Sequence, residues 1–102
     1  MEFGWYHEFH RQVEQQPDAD AFAQALQQAA DAERWGLDAI WLAEIHQQAS
    51  RSVLSAPLTV AAAIAARTSR LKIGTGVQVL PLCHPLRLAE ETATIDQISR
   101  GR

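Results

Sequence analysis

Glu44 and His46 stand two residues apart in a polar stretch that directly follows an apolar one. A carboxylate and an imidazole so close together suit proton transfer, because histidine as a residue type exchanges protons near neutral pH. With His84 they also form a candidate donor set for a divalent ion, the basis of a metal-dependent hydrolase reading, although the spacing matches no standard metal signature. The plainer alternative is a pair of solvated loop side chains. His7 and His10 lie three apart in a polar stretch with no third ligand nearby, so no metal site is expected there. Cys83 has only His84 as a potentially cationic neighbour and is expected to be a loop thiol without a role. Glu90 and Glu91 are adjacent, so on a helix they diverge and do not form a paired-carboxylate acid/base site. Gly74-Thr75-Gly76 lacks the Lys-Ser/Thr of a phosphate loop. Its glycines mark a bulge or a place where backbone approaches a ligand closely.

These residues need elements to hold them. Glu2 to Tyr6 is short and aromatic and predicts a strand. His7 to Gln16 is polar and reads as a loop. Pro17, Asp18 and Asp20 announce a helix from about Asp20 to Trp35, with Phe22, Leu26, Ala29 and Ala30 on one face. Gly36 suits the left-handed position that ends it. Ala39 to Ala43 reads as a buried parallel strand, and Glu44 to Arg51 as a loop. Ser55 is the expected N-cap of a buried helix over Leu58 to Ala66, with Pro57 in its first turn. Leu71 to Val79 predicts the third strand, Pro81 to Pro85 a loop that ends at His84-Pro85, and Leu86 to Ser99 the third helix, stopped by Gly101. His84 is expected to shape that loop and cap the helix. Trp35 and Trp41 are expected in the core.

Strand and helix thus alternate three times with a repeat of roughly 35 residues, the pattern of successive βα units on a parallel sheet. An open doubly wound sheet and a closed barrel both satisfy it. Three strands make a very small open sheet, whereas a closed barrel needs about eight in roughly 250 residues. The expectation is therefore an α/β fold: the first three βα units of a (β/α)8 TIM barrel. Residues 1–102 form the N-terminal part of that domain, ending before strand 4. Bare sheet edges favour a homo-oligomer over a monomer.

Two runs carry a resemblance. AERWGLDAIWLAEIH (Ala32 to His46) resembles the second-strand signature of the bacterial-luciferase-like flavin-dependent monooxygenases, in which an Ala-Glu pair, a glycine and an apolar strand lead to Glu-His-His. TSRLKIGTGVQVLPLCHPLRLAEETATIDQISRGR (Thr68 to Arg102) resembles the third strand and third helix of the same family, above all in IGTGV, LPLCHP, LAEE and IDQISRGR. The match keeps its order and covers most of the chain. It implies a (β/α)8 barrel that binds flavin mononucleotide (FMN), as reduced flavin, or a deazaflavin at the C-terminal ends of its strands. The implied activity is oxidation of a small organic substrate with reduced flavin and oxygen, and a flavin reductase is the implied protein partner. Carried over residue by residue, Glu44, Gly76 and Val77 contact the cofactor and His46 is catalytic. A non-proline cis peptide after the third strand maps onto Gly76-Val77. The sequence departs from the family at Ile45, which replaces the first histidine of Glu-His-His and can neither transfer a proton nor donate a hydrogen bond. The family's phosphate-binding loops lie late in the barrel, so the chain is expected to be inactive in isolation; a non-catalytic, self-associating fragment is the alternative.

Composition narrows the rest. A hydrophobic share of 47% and a charged share of 21% fit an ordinary globular domain. A net charge of −3 with scattered basic residues gives no footprint for nucleic acid or an anionic membrane. The longest apolar-rich stretch, Ala56 to Ala66, is too short to span a bilayer. The single cysteine cannot form an internal disulfide, and with no signal peptide visible a cytoplasmic setting is expected.

Overall fold

The computed structural model describes residues 1–102. Strand β1 (Gly4–His7) leads to helix α1 (Asp18–Arg34), β2 (Ala39–Leu42) to α2 (Pro57–Ala65), and β3 (Lys72–Thr75) through a 3-10 turn at Leu80–Leu82 to α3 (Pro85–Ser99). The strands form one sheet in the order β1-β2-β3. Both pairings are parallel, with Tyr6 opposite Trp41 and Trp41 opposite Gly74. The α/β alternation expected from the sequence is present in full.

The helices cover one face of the sheet. Ile40 and Leu42 point into that layer and are fully buried, with Leu54, Ile64, Leu71 and Phe9 around them. Burying each such side chain contributes about 1.5–3 kcal/mol. Helix α1 meets this core through Ala21, Ala25, Ala29 and Ala32. Phe22 and Leu26, expected at the centre of the contact, sit at its margin and are only partly buried. The alanine stripe and not the larger residues forms the innermost face of α1.

Two polar anchors secure the approach to β3. Glu33, near the end of α1, accepts backbone N–H groups from Ser69, Arg70 and Leu71, at 3.0, 2.7 and 2.6 Å. The Arg102 guanidinium donates to the carbonyls of Ala65, Thr68, Leu71 and Ser99, drawing together the ends of α2 and α3 and the start of β3. A cation there also satisfies carbonyls that a helix end leaves without partners.

Several boundaries differ from expectation. β1 runs on to His7, whose side chain is buried, and the stretch after it is no simple polar loop: Phe9 turns inward and is fully buried, at φ 55°. β3 is paired only through Thr75 and not to Val79, because the chain leaves the sheet at Gly76, whose N–H makes a last bond to the Leu42 carbonyl at 2.7 Å. Ala56, not Ser55, is the N-cap of α2, and Pro57 begins that helix without a side-chain cap. Trp35 and Trp41 are not core residues: they are 76% and 48% exposed. Gly36 does end α1 in the left-handed region, at φ 90°, and its N–H and that of Leu37 close the turn onto Glu33 and Ala32.

Candidate functional site

All three strands point their C-terminal ends at one rim, as parallel pairing requires. Alternation along each strand divides the side chains. Ile40 and Leu42 face the helices, whereas Tyr6 and Trp41 face away and remain about half exposed. The helix-free face therefore carries aromatic surface that leads up to the rim. The Trp41 indole lies flat across both neighbouring strands, over Gly4 and Gly74. A Cβ added at either glycine would come within 2.8 or 2.5 Å of that ring, so the two glycines are what make room for it. Above Gly74, the Gly76–Val77 peptide is cis, as the resemblance implies. Val77 presents its side chain to solvent at the same rim.

Glu44 and His46 meet there. The His46 Nε2 atom lies 2.7 Å from Glu44 Oε1, and the backbone N–H of Val79 donates to Glu44 Oε2 at 2.7 Å. The Glu44 side chain is 3% exposed and that of His46 40% exposed. One buried carboxylate thus joins the loop after β2 to the loop after β3. A cleft of about 230 Å³ opens beside the pair, lined in part by Pro57, Leu58, Gln78 and Leu82. Ile45 is held between them in sequence by its own backbone, its N–H donating to the Leu54 carbonyl at 3.0 Å.

The other candidates fall elsewhere. His84 is the N-cap of α3 but makes no side-chain capping bond, and it does not join Glu44 and His46 in a set of three ligating side chains. Cys83 is partly buried and accepts a hydrogen bond from the Gln78 carboxamide at 3.3 Å. The Gln78 oxygen is buried without a partner, and Gln78 is among the residues lining a larger hollow of about 520 Å³ against α3. No pattern in the sequence singles out Gln78; only the folding of the β3–α3 loop buries it.

Sequence reasoning also missed His7. Its Nδ1 accepts the N–H of Phe9 at 2.8 Å, and its Nε2 lies 3.1 Å from Gln28 Oε1. Burial lowers the pKa of the imidazole below its usual 6.5; the Gln28 hydrogen bond works against this and the nearby charge of His10 adds to it. Neutral His7 is thus part of what turns the chain at the end of β1. The β1 and β2 loops are further stitched by the Arg51–Glu8 ion pair and by the Val53 N–H, which donates to the Phe9 carbonyl at 3.0 Å.

A parallel sheet with helices on one face, open aromatic surface on the other and a polar pair at the C-terminal rim is an arrangement in which α/β proteins carry ligand sites. The particular family follows from comparison with known proteins. The family model described as luciferase-like monooxygenase matches residues 1–102, and the chain belongs to that family. It is 32% identical over its whole length to the oxygenase component of a flavin-dependent trigonelline monooxygenase of Acinetobacter baylyi, of which it spans 28%. It is 39% identical over 88 residues to limonene 1,2-monooxygenase of Rhodococcus erythropolis, covering 22% of that protein. Among solved structures, the oxygenating constituent of 3,6-diketocamphane monooxygenase from Pseudomonas putida, in complex with FMN, superposes with a TM-score of 0.89 at 25% identity. That match covers 99% of this chain and 27% of the other. The monooxygenase RslO1 of Streptomyces bottropensis gives a TM-score of 0.89 at 31% identity over 100% of this chain and 31% of its own. The chain therefore spans less than a third of the length of these relatives. No helix is long and apolar enough to cross a membrane.

Proposed function

We propose that these three βα units are the opening part of a (β/α)8 barrel, and that the protein they belong to is a flavin-dependent monooxygenase acting on a small organic substrate. The observation that carries the reading is the coincidence, at one rim, of the Glu44–His46 pair with the open face of Trp41 and Tyr6. An isoalloxazine ring needs a flat apolar surface and nearby backbone. The surface at Gly76 and Val77, continuous with Tyr6 beneath, fits that need: a Cβ at Gly76 would lie 3.5 Å from the Tyr6 ring. Gly76 and Val77 would support the ring of FMN or a deazaflavin, with Glu44 behind them. When bound, reduced flavin supplies the electrons that activate oxygen for transfer to the substrate.

The chain's own residues then have distinct tasks. Val77 and Trp41 keep the rim apolar and exclude water from the reacting atoms. His46, with Ile45 unable to serve, is the proton-transfer group. Further strands cover the inner face and supply the phosphate site, a separate reductase supplies reduced flavin, and the assembled protein is a homo-oligomer. By itself the chain binds no flavin tightly and turns over no substrate. A cytoplasmic protein suits this chemistry.

Titration with FMN, followed by quenching of flavin fluorescence, tests the reading. The intact protein is expected to bind at micromolar concentration or tighter, and the 102-residue chain far more weakly. Failure of the intact protein to bind either flavin or deazaflavin overturns the proposal.

A further inference from the structure

We infer that Glu44 is a positioning residue that selects one tautomer of His46 and ties that choice to the β3 loop. This deepens the proposed function and rests on it for the role of His46. An ionised carboxylate only accepts hydrogen bonds. Both of its oxygens are engaged, Oε2 by the Val79 N–H and Oε1 by His46 Nε2, each at 2.7 Å. The proton of neutral His46 must therefore sit on Nε2, which leaves the lone pair on Nδ1. The ring is 40% exposed while the carboxylate is 3% exposed, so the imidazole and not the carboxylate is what a bound molecule can reach. A proton released by a molecule bound at the rim would pass to Nδ1. The resulting imidazolium stays bonded through Nε2–H to Glu44, whose negative charge offsets the new positive one. Because the same carboxylate holds Val79, the histidine and the Gly76–Val79 segment keep a common geometry.

The substitution Glu44→Gln separates the two bonds. The backbone N–H of Val79 cannot change its role, so the carboxamide oxygen must stay with it. The carboxamide NH2 then faces His46 Nε2, and the ring has to move its proton to Nδ1. The wrong tautomer in the triads of serine proteases costs about 10⁴-fold in rate. An analogous loss of roughly 10²–10⁴ in kcat is expected here.

Imidazole 15N NMR of the intact protein, with His46 assigned by its loss in His46→Asn, reads the tautomer without any turnover. The expected result is a protonated Nε2 and a bare Nδ1 in the unmodified protein, reversed in Glu44→Gln. A bare Nε2 in the unmodified protein, or an unchanged tautomer in the variant, overturns the inference and leaves the flavin assignment untouched. A reversed tautomer with undiminished kcat overturns the role of His46 in proton transfer, and with it that part of the proposed function.

Discussion

Glu33 is a carboxylate whose worth to the fold can be worked from its contacts. It takes the N–H groups of three consecutive residues, Ser69, Arg70 and Leu71, just ahead of β3, and the Ser69 hydroxyl besides. Burial acts to raise its pKa, but the backbone donors outweigh burial and bring it from 4.5 to about 2. Without screening, that difference corresponds to about 3 kcal/mol of preference for the ionised form in the folded state. The carboxylate sits near solvent, where water screens the interaction and replaces lost partners, so a contribution of about 1–2 kcal/mol is expected. The sign follows from linkage. The folded pKa is depressed, so the unfolded chain binds the proton first as the pH falls. The contribution is complete above 4.5 and is lost as the pH drops through about 2. Glu33→Gln should lower stability by that amount near neutrality, measured by urea unfolding followed by circular dichroism. The gap from the unmodified protein should narrow steadily below 4.5. Equal stability near neutrality, or a gap that persists in acid, would refute the reasoning.

Two further outcomes are expected. Burial depresses the pKa of His7, so the folded state favours its neutral form; its contribution is intact above 6.5 and lost as the pH falls through the lowered value. Melting temperature against pH should therefore fall below 6.5 in the unmodified protein and flatten in His7→Asn, and identical profiles would count against the assignment. Gly74→Ala should cost about 1–3 kcal/mol through overpacking, since the new Cβ would lie 2.5 Å from the Trp41 ring. In a Trp41→Ala background most of that cost should vanish; additive losses in the double-mutant cycle would show that the ring is not what the methyl meets.

Much of the architecture was legible because it rests on local rules. Apolar strands of parallel-sheet character, alternating with helices punctuated by Pro17, Pro57, Gly36 and Gly101, announce βα units without reference to anything distant. The Glu44–His46 pair and the glycines at 74 and 76 were visible as candidates for the same reason: they are close in sequence and lie at the ends of strands. The family could be read because its second- and third-strand signatures are contiguous runs.

What escaped the sequence depends on contacts between residues far apart along the chain. Phe9 and His7 look like polar-loop residues until the β1 loop folds against Val53 and Gln28, 44 and 21 residues on. Trp41 looks like a core strand residue, but strand alternation puts it on the face without helices, and two glycines on neighbouring strands decide how it lies. The second partner of Glu44, the Val79 N–H, is 35 residues away. From sequence alone Glu44 and His46 are neighbours with an unknown relation. The tertiary structure makes one a buried acceptor and the other a half-exposed ring, because only there does the β3 loop occupy the second oxygen.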